Sequence, residues 1–158
     1  MWGLTVRGIC EYDNKFLLLK VRSKSAHDAG KWEIPGGKVK KCEFFDEALK
    51  REYLEESGLE IDIVSLYNVV RNDYTACKTS EDVKSIQLIM KVTCESDDVV
   101  ISEEHDEYGW FDMDDINDMI KEGILTPPAV NAFKKWFITW IKQNIEKKFT
   151  FSSIFKFY

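Results

Sequence analysis

A chain of 158 residues, 44% apolar and 32% charged, is long enough for one domain with a single substantial core, and its composition is ordinary for a globular protein. A net charge of −6 argues against a nucleic-acid coat or a polybasic membrane binder, and no apolar run is long enough to span a bilayer. The opening MWGLTVRGICEY lacks a signal-peptide pattern, and Cys10, Cys42, Cys77 and Cys94 form no C-x-x-C, so reduced thiols, a cytoplasmic location and no structural zinc are expected.

In chain order, Leu4 to Glu11 and Phe16 to Val21 read as a hairpin closed by Asp13 and Asn14. Ser23 to Gly30 is a polar loop. Trp32 to Ile34 is a short strand running into Pro35-Gly36-Gly37, which reads as a strong turn. Glu43 to Ser57 is helical and stops at Gly58. Ile61 to Val70 and Ile86 to Thr93 are β-branched-rich strands separated by a loop over 75–84. Val99 to Ile101 is a candidate edge strand, and Asp112 to Met119 a short helix. Pro127 and Pro128 open a last helix over about 127–147, with Val130, Phe133, Trp136, Phe137, Trp140, Ile141 and Ile145 on one face. Neither repeat nor linker interrupts this order, so residues 1–158 read as a single domain. Strands dispersed among one central and one or two C-terminal helices suggest an α/β sandwich. The phenylalanine-rich tail, residues 148–158, suits packing on the body or a dimer contact equally well.

Residues 37–59, GKVKKCEFFDEALKREYLEESGL, carry the chemistry. Glu52, Glu55 and Glu56 stand at i, i+3 and i+4 and share one helix face. Carboxylates so close repel one another, and a divalent cation between them relieves the repulsion. Oxygen ligands alone point to Mg²⁺, with Mn²⁺ as a substitute. A hard cation beside a glycine turn suits phosphate chemistry. Glu47 and Arg51, and Asp46 and Lys50, are spaced as surface pairs. Ala48, one turn before Glu52, leaves a low wall beside the metal, while Leu49 and Tyr53 anchor the helix in the core. Glu43 near the first turn partly replaces a missing helix cap.

This stretch resembles the signature box of the Nudix hydrolases, G-x5-E-x7-R-E-U-x-E-E-x-G-U with U apolar. Gly37, Glu43, Arg51, Glu52, Glu55, Glu56, Gly58 and Leu59 fall in register, and Tyr53 is a bulky choice for the first U. The resemblance implies a Nudix-type α/β/α sandwich with a mixed β-sheet between helices. It also implies Gly37, through its carbonyl, as a metal ligand beside Glu52, Glu55 and Glu56, with Arg51 holding the carboxylates and Glu43 as its partner.

The acidic run over 102–110, SEEHDEYGW, falls where related enzymes supply one more glutamate as metal ligand or general base. Glu104, six residues before Trp110, has the spacing of the MutT branch, and Glu107 competes with it; His105 reads as a surface residue. Arg22 matches an arginine that grips substrate phosphate in MutT enzymes, Lys38 is placed to neutralise a phosphate, and Lys40 and Lys41 read as exposed. Residues 125–131, LTPPAVN, are similar to the Pro-Pro-Ala-Asn run whose asparagine reads an oxidised guanine. Here Val130 is inserted, and Asn131 is both a candidate base reader and a plain helix-start residue.

The resemblance implies a metal-dependent pyrophosphohydrolase of nucleoside diphosphates linked to X, a MutT-like nucleoside triphosphate pyrophosphatase releasing a monophosphate and pyrophosphate. Glu52, Glu55, Glu56 and Glu104 would bind Mg²⁺, and Glu55 or Glu104 would take the proton. The alternatives are an ADP-ribose or nucleotide-sugar pyrophosphatase, a dinucleoside polyphosphate hydrolase, for which Tyr74 is a mark, and a catalytically idle nucleotide sensor. The expected partner is a small-molecule nucleotide, with neither nucleic acid nor membrane; a homodimer is carried over from the family alone.

Overall fold

The computed structural model describes residues 2–76, 79–136 and 138. The N-terminal hairpin forms as expected: β1 (Trp2–Tyr12) and β2 (Lys15–Val21) run antiparallel, joined through Asp13 and Asn14. Both turn residues have positive φ, 48° and 60°, the left-handed pair that matches the twist of a tight hairpin.

Further strands follow: β3 (Trp32–Glu33), β4 (Gly36–Lys38), β5 (Ile61–Arg71), β6 (Tyr74–Thr75), β7 (Asp82–Cys94) and β8 (His105–Phe111). β1 lies between β4, antiparallel, and β7, parallel, and β5 pairs antiparallel on the far side of β7. This is the mixed sheet. β2 lies between β3 and β8, antiparallel to both.

Several local expectations are corrected. Gly36 and Gly37 are not a turn: they pair with Arg7 and Val6 as β4, because the adjacent edge of β1 offers their backbone groups partners. Part of the expected 75–84 loop is strand, since Tyr74 and Thr75 pair with Val83 and Asp82. Val99 to Ile101 is not a strand; Val99 is instead buried in the core under the central helix. Most of the acidic run forms β8, paired with β2, with Asp106 and Glu107 both exposed.

Among the described residues, three helices cover the sheets. α1 (Phe45–Ser57) begins two residues later than expected and ends at Gly58, which has φ 70°. Phe44 has no acceptor in its side chain, so α1 is capped from within: the Glu47 carboxylate accepts from the Phe44 N–H at 2.9 Å. Glu47 is therefore a cap and not a surface partner of Arg51, and Glu43 does not cap at all, being engaged by Arg51. α2 (Met113–Glu122) is capped by Asp112, which accepts from the N–H groups of Asp114 and Asp115. α3 covers 127–136; the expected continuation to 147 and the tail 148–158 lie outside the described residues.

Two cores result. Tyr53, Leu49 and Ala48 of α1 meet Val6, Cys10, Leu17, Leu19, Met90 and Val92. Ala48 is thus fully buried in the core, not a low wall beside a metal. On the other side Ile9, Phe16, Leu18 and Ile89 meet Ile116 and Met119 of α2 and Ala129, Ala132 and Phe133 of α3. β2 is covered on both faces, which explains its nearly continuous apolar run. The thiols of Cys10 and Cys94 meet at 3.3 Å as free cysteines. No helix among the described residues is long and apolar enough to cross a membrane.

The contact of α1 with β1 is closest at Gly8. The Tyr53 hydroxyl donates to the Gly8 carbonyl, and an added Cβ at Gly8 would lie 2.7 Å from Tyr53 Cε2. Gly8→Ala is expected to overpack this contact and lower stability by about 1–3 kcal/mol, measured as a fall in the urea unfolding midpoint.

Candidate active site

Helix α1 presents Glu52, Glu55 and Glu56 at graded depth. The Glu55 side chain is 54% exposed, Glu52 15%, and Glu56 as a residue only 7%. Arg51 draws two of them together. Its Nη1 donates to Glu52 Oε1 at 2.7 Å and to Glu55 Oε2 at 3.0 Å. Its Nε and Nη2 grip both oxygens of Glu43 at 2.7 and 3.1 Å, and Nη2 also reaches the Lys38 carbonyl at 3.3 Å. The bidentate pair orients the guanidinium. Hydrogen bonds from Arg51, then from the Lys40 N–H, pull the Glu43 carboxyl down to about 2. The same pairing with Glu43 raises Arg51, so both stay charged at any ordinary pH.

Gly37 lies against Glu52. A Cβ at Gly37 would stand 2.5 Å from Glu52 Cδ and 2.6 and 2.7 Å from its oxygens, so any side chain there would displace the carboxylate. Gly36 secures the third carboxylate: its N–H donates to Glu56 Oε2 at 2.9 Å. Burial, and next the charge of Glu33, push Glu56 up to about 7 despite opposition from Arg7, the Gly36 N–H and His105.

Beneath Glu56 lies a network that the sequence did not reveal. Arg7 on β1 pairs with Glu33 at 2.7 Å and donates to the Ile34 carbonyl at 2.6 Å. Glu33 also meets His105 Nε2 at 3.1 Å. His105 is therefore no surface residue: it is 6% exposed and paired, because β8 lies beside β2 with β3 on the other edge. Burial opposes protonation of His105, but the Glu33 hydrogen bond and the charges of Glu56, Glu33 and Glu104 raise its pKa. The only advance signal was Arg7, a charge inside an apolar strand.

The loop ahead of β8 closes on the same end of α1. Ser102 N–H donates to the Glu56 carbonyl at 3.2 Å, and Arg22 N–H to the Glu104 carbonyl at 3.1 Å. The Arg22 guanidinium donates to the Glu103 carbonyl at 3.1 Å. Glu107 pairs with Lys20 at 3.0 Å. Lys38 Nζ lies 4.7 Å from the centre of the Tyr74 ring. Asn131 is exposed on α3, on a different side from the buried Ala129, Ala132 and Phe133.

Gly37, Arg51, Glu52 and Glu55 are thus brought into contact, Glu56 and the Glu104 loop adjoin them, and Asn131 stands on an outward face. Among the described residues no three His, Cys, Asp or Glu side chains already converge in metal-binding geometry. The donors are nonetheless oxygen only, and the gathered negative charge is offset by one guanidinium, which suits a hard divalent cation.

Comparison with known proteins gives the family. The NUDIX domain family matches residues 2–135. The nucleoside triphosphatase NudI of Klebsiella pneumoniae (strain 342) is 30% identical over 113 residues, covering 68% of this chain and 80% of that protein. A MutT protein from Methanosarcina mazei Go1 superposes with TM-score 0.71 at 28% identity, over 90% of this chain and 95% of that one. A MutT NUDIX hydrolase from Burkholderia pseudomallei gives TM-score 0.70 at 26% identity, over 85% and 98%. With the match running from residue 2 to residue 135, the chain belongs to the Nudix hydrolase family and is an enzyme.

Proposed function

We propose that the chain hydrolyses a nucleoside triphosphate to a monophosphate and pyrophosphate with the help of a divalent cation, Mg²⁺ or in its place Mn²⁺. The observation that carries this reading is the gathering of Glu52 and Glu55 on Arg51, with Gly37 against Glu52. The similarity to nucleoside triphosphatases named NudI supports the triphosphate as substrate class.

Glu52, Glu55, Glu56 and the Gly37 carbonyl would hold the cation, with Glu104 at the rim. Such an ion lowers the pKa of a bound water and offsets charge on phosphate oxygens. The protein supplies the rest. Arg51, fixed by Glu43, keeps Glu52 and Glu55 close, and their mutual repulsion is held in check. Glu55, the most exposed of the three, is placed to take the proton of the attacking water, with Glu104 as the second carboxylate able to do so. Arg22, beside the Glu104 loop, brings positive charge to the approach of a phosphate chain; Lys38, the other cation expected there, stands over the Tyr74 ring on the opposite face of β4 from Gly37.

Glu52→Gln is expected to lower turnover roughly a hundredfold or more while the chain stays folded. The assay is Mg²⁺-dependent pyrophosphate release from canonical and oxidised nucleoside triphosphates, run beside ADP-ribose, nucleotide sugars and dinucleoside polyphosphates. Turnover unchanged in the variant, or confined to the latter three, would overturn the reading. Gly37→Ala is expected to push the Glu52 carboxylate out of place and cost about 10²-fold in kcat, as a misplacement near 1 Å does; kcat equal to the wild type would show that this close approach is idle.

A further inference from the structure

Besides Arg7 Nε, three polar side chains on β1 and β7 are buried with an atom that finds no partner among the described residues: Thr5 Oγ1, Ser85 Oγ and Gln87 Oε1. Thr5 is 9% exposed, and Ser85 and Gln87 are 1% exposed. Burying such groups unpaired is unfavourable, and buried polar atoms are nearly always hydrogen-bonded. Three unpaired on neighbouring positions call for a physical reason.

The strand register puts them together. Thr5 is opposite Gln87 and Gly3 opposite Ser85 in the parallel β1–β7 pair, while Lys38 is opposite Thr5 in the antiparallel β4–β1 pair. Residues opposite one another share a face of the sheet, as do residues two apart along a strand. Lys38, Thr5 and Gln87 therefore form one row across three strands, and Gly3 and Ser85 begin the next. Gly37 and Val6, one position along, point the other way: Gly37 meets Glu52, and Val6 joins the core under α1. The polar row thus begins one residue from Gly37 but on the opposite face. Gly3 lets Val83 and Tyr74 close over the row, since a Cβ there would lie 3.1 Å from Val83 Cγ1, 3.5 Å from Ser85 Oγ and 3.6 Å from the Tyr74 hydroxyl oxygen.

We propose that Thr5, Ser85 and Gln87 recognise the nucleobase of the substrate, Gln87 Oε1 accepting from a ring or exocyclic N–H and the two hydroxyls completing the edge. This rests on the reading of the chain as a nucleoside triphosphate hydrolase. Gln87 Oε1 accepts, and the two hydroxyls accept or donate, so the row distinguishes bases by where along their edge donors and acceptors fall. The three atoms are closed to solvent, so a base reaches them by pushing neighbouring side chains aside. A site built to hydrogen-bond a substrate rejects analogues that leave it unpaired. The row takes over the base-reading role expected of Asn131, which faces outward.

The test uses the full chain with Thr5→Val, Ser85→Ala and Gln87→Leu, each removing an unpaired group at similar or smaller volume. Each variant is expected to unfold at the same or a higher temperature than the wild type. Each is expected to raise KM for the preferred triphosphate about tenfold, the equivalent of one lost hydrogen bond, and to lower kcat less than that. Ranking among bases should flatten, the ratio of ribo- to deoxyribonucleotide should hold, and Thr5→Ser, which keeps the hydroxyl, should keep the wild-type KM. Unchanged KM and base ranking would overturn the proposal, as would lower unfolding temperatures with KM unmoved, which would make these groups part of the fold. A shift in the ribo-to-deoxy ratio in place of the base ranking would also overturn it by assigning the row to the sugar. Absence of Glu52-dependent cleavage in the wild type would sink the hydrolase reading and this inference together; cleavage with variants that rank bases as the wild type does would sink this inference alone.

Discussion

Carboxylates three and four residues apart on a helix repel one another, and in this chain one guanidinium makes their proximity tolerable. Arg51 meets Glu43 with two nitrogens, Glu52 and Glu55 with a third, and the Lys38 carbonyl besides. The Glu43 pair lies off the three-glutamate face and orients the fork. The Lys38 contact ties α1 to β4, so the same side chain sets the distance between the carboxylates and the Gly37 backbone. The pairs with Glu43 and Glu52 are only 15–21% exposed, so water screens them less than a surface pair.

The three glutamates do not share one environment, because successive residues point about 100° apart around a helix that lies against the sheet. Glu55 faces solvent, Glu52 sits at the edge against Gly37, and Glu56 points down toward Gly36 and the Arg7–Glu33–His105 network. Burial favours the neutral form of Glu56, and the negative charge of Glu33 below adds to this. Arg7 and His105 counter that charge, so the network under α1 sets how readily Glu56 ionises. A carboxyl poised near neutrality beside two that Arg51 pairs is a site that responds strongly to any added positive charge.

Much of this was legible beforehand where the relevant signal is local. The spacing of Glu52, Glu55 and Glu56, the stop at Gly58 and the hairpin at Asp13 and Asn14 depend on neighbours in sequence, and all appear in the structure. The Arg51–Glu43 pair also lies within the one motif. What failed depends on distant partners. Pro35 to Gly37 has turn composition but meets an open edge of β1, so Gly36 to Lys38 becomes strand. His105 looked exposed because Glu33, its partner, is 72 residues away. Ala48 was misplaced because helical spacing gives a neighbour, not the direction of the core.

The alternation of β4 gives the site its two sides. A strand sends successive residues to opposite faces, so Gly37 faces α1 and its carboxylates while Lys38, one residue on, faces the row with Thr5 and Gln87. A ligand with phosphates at one end and a base at the other suits this arrangement: the phosphate charge would be met by the cation that the carboxylates hold, and the base by hydrogen-bonding groups that exclude water. Placing both on one face would bring unpaired amide and hydroxyl groups up against Glu52 and Arg51, where the charged groups would capture them. Separation across β4 keeps Gln87 and the two hydroxyls unpaired and available, at the cost of stability that burying them entails.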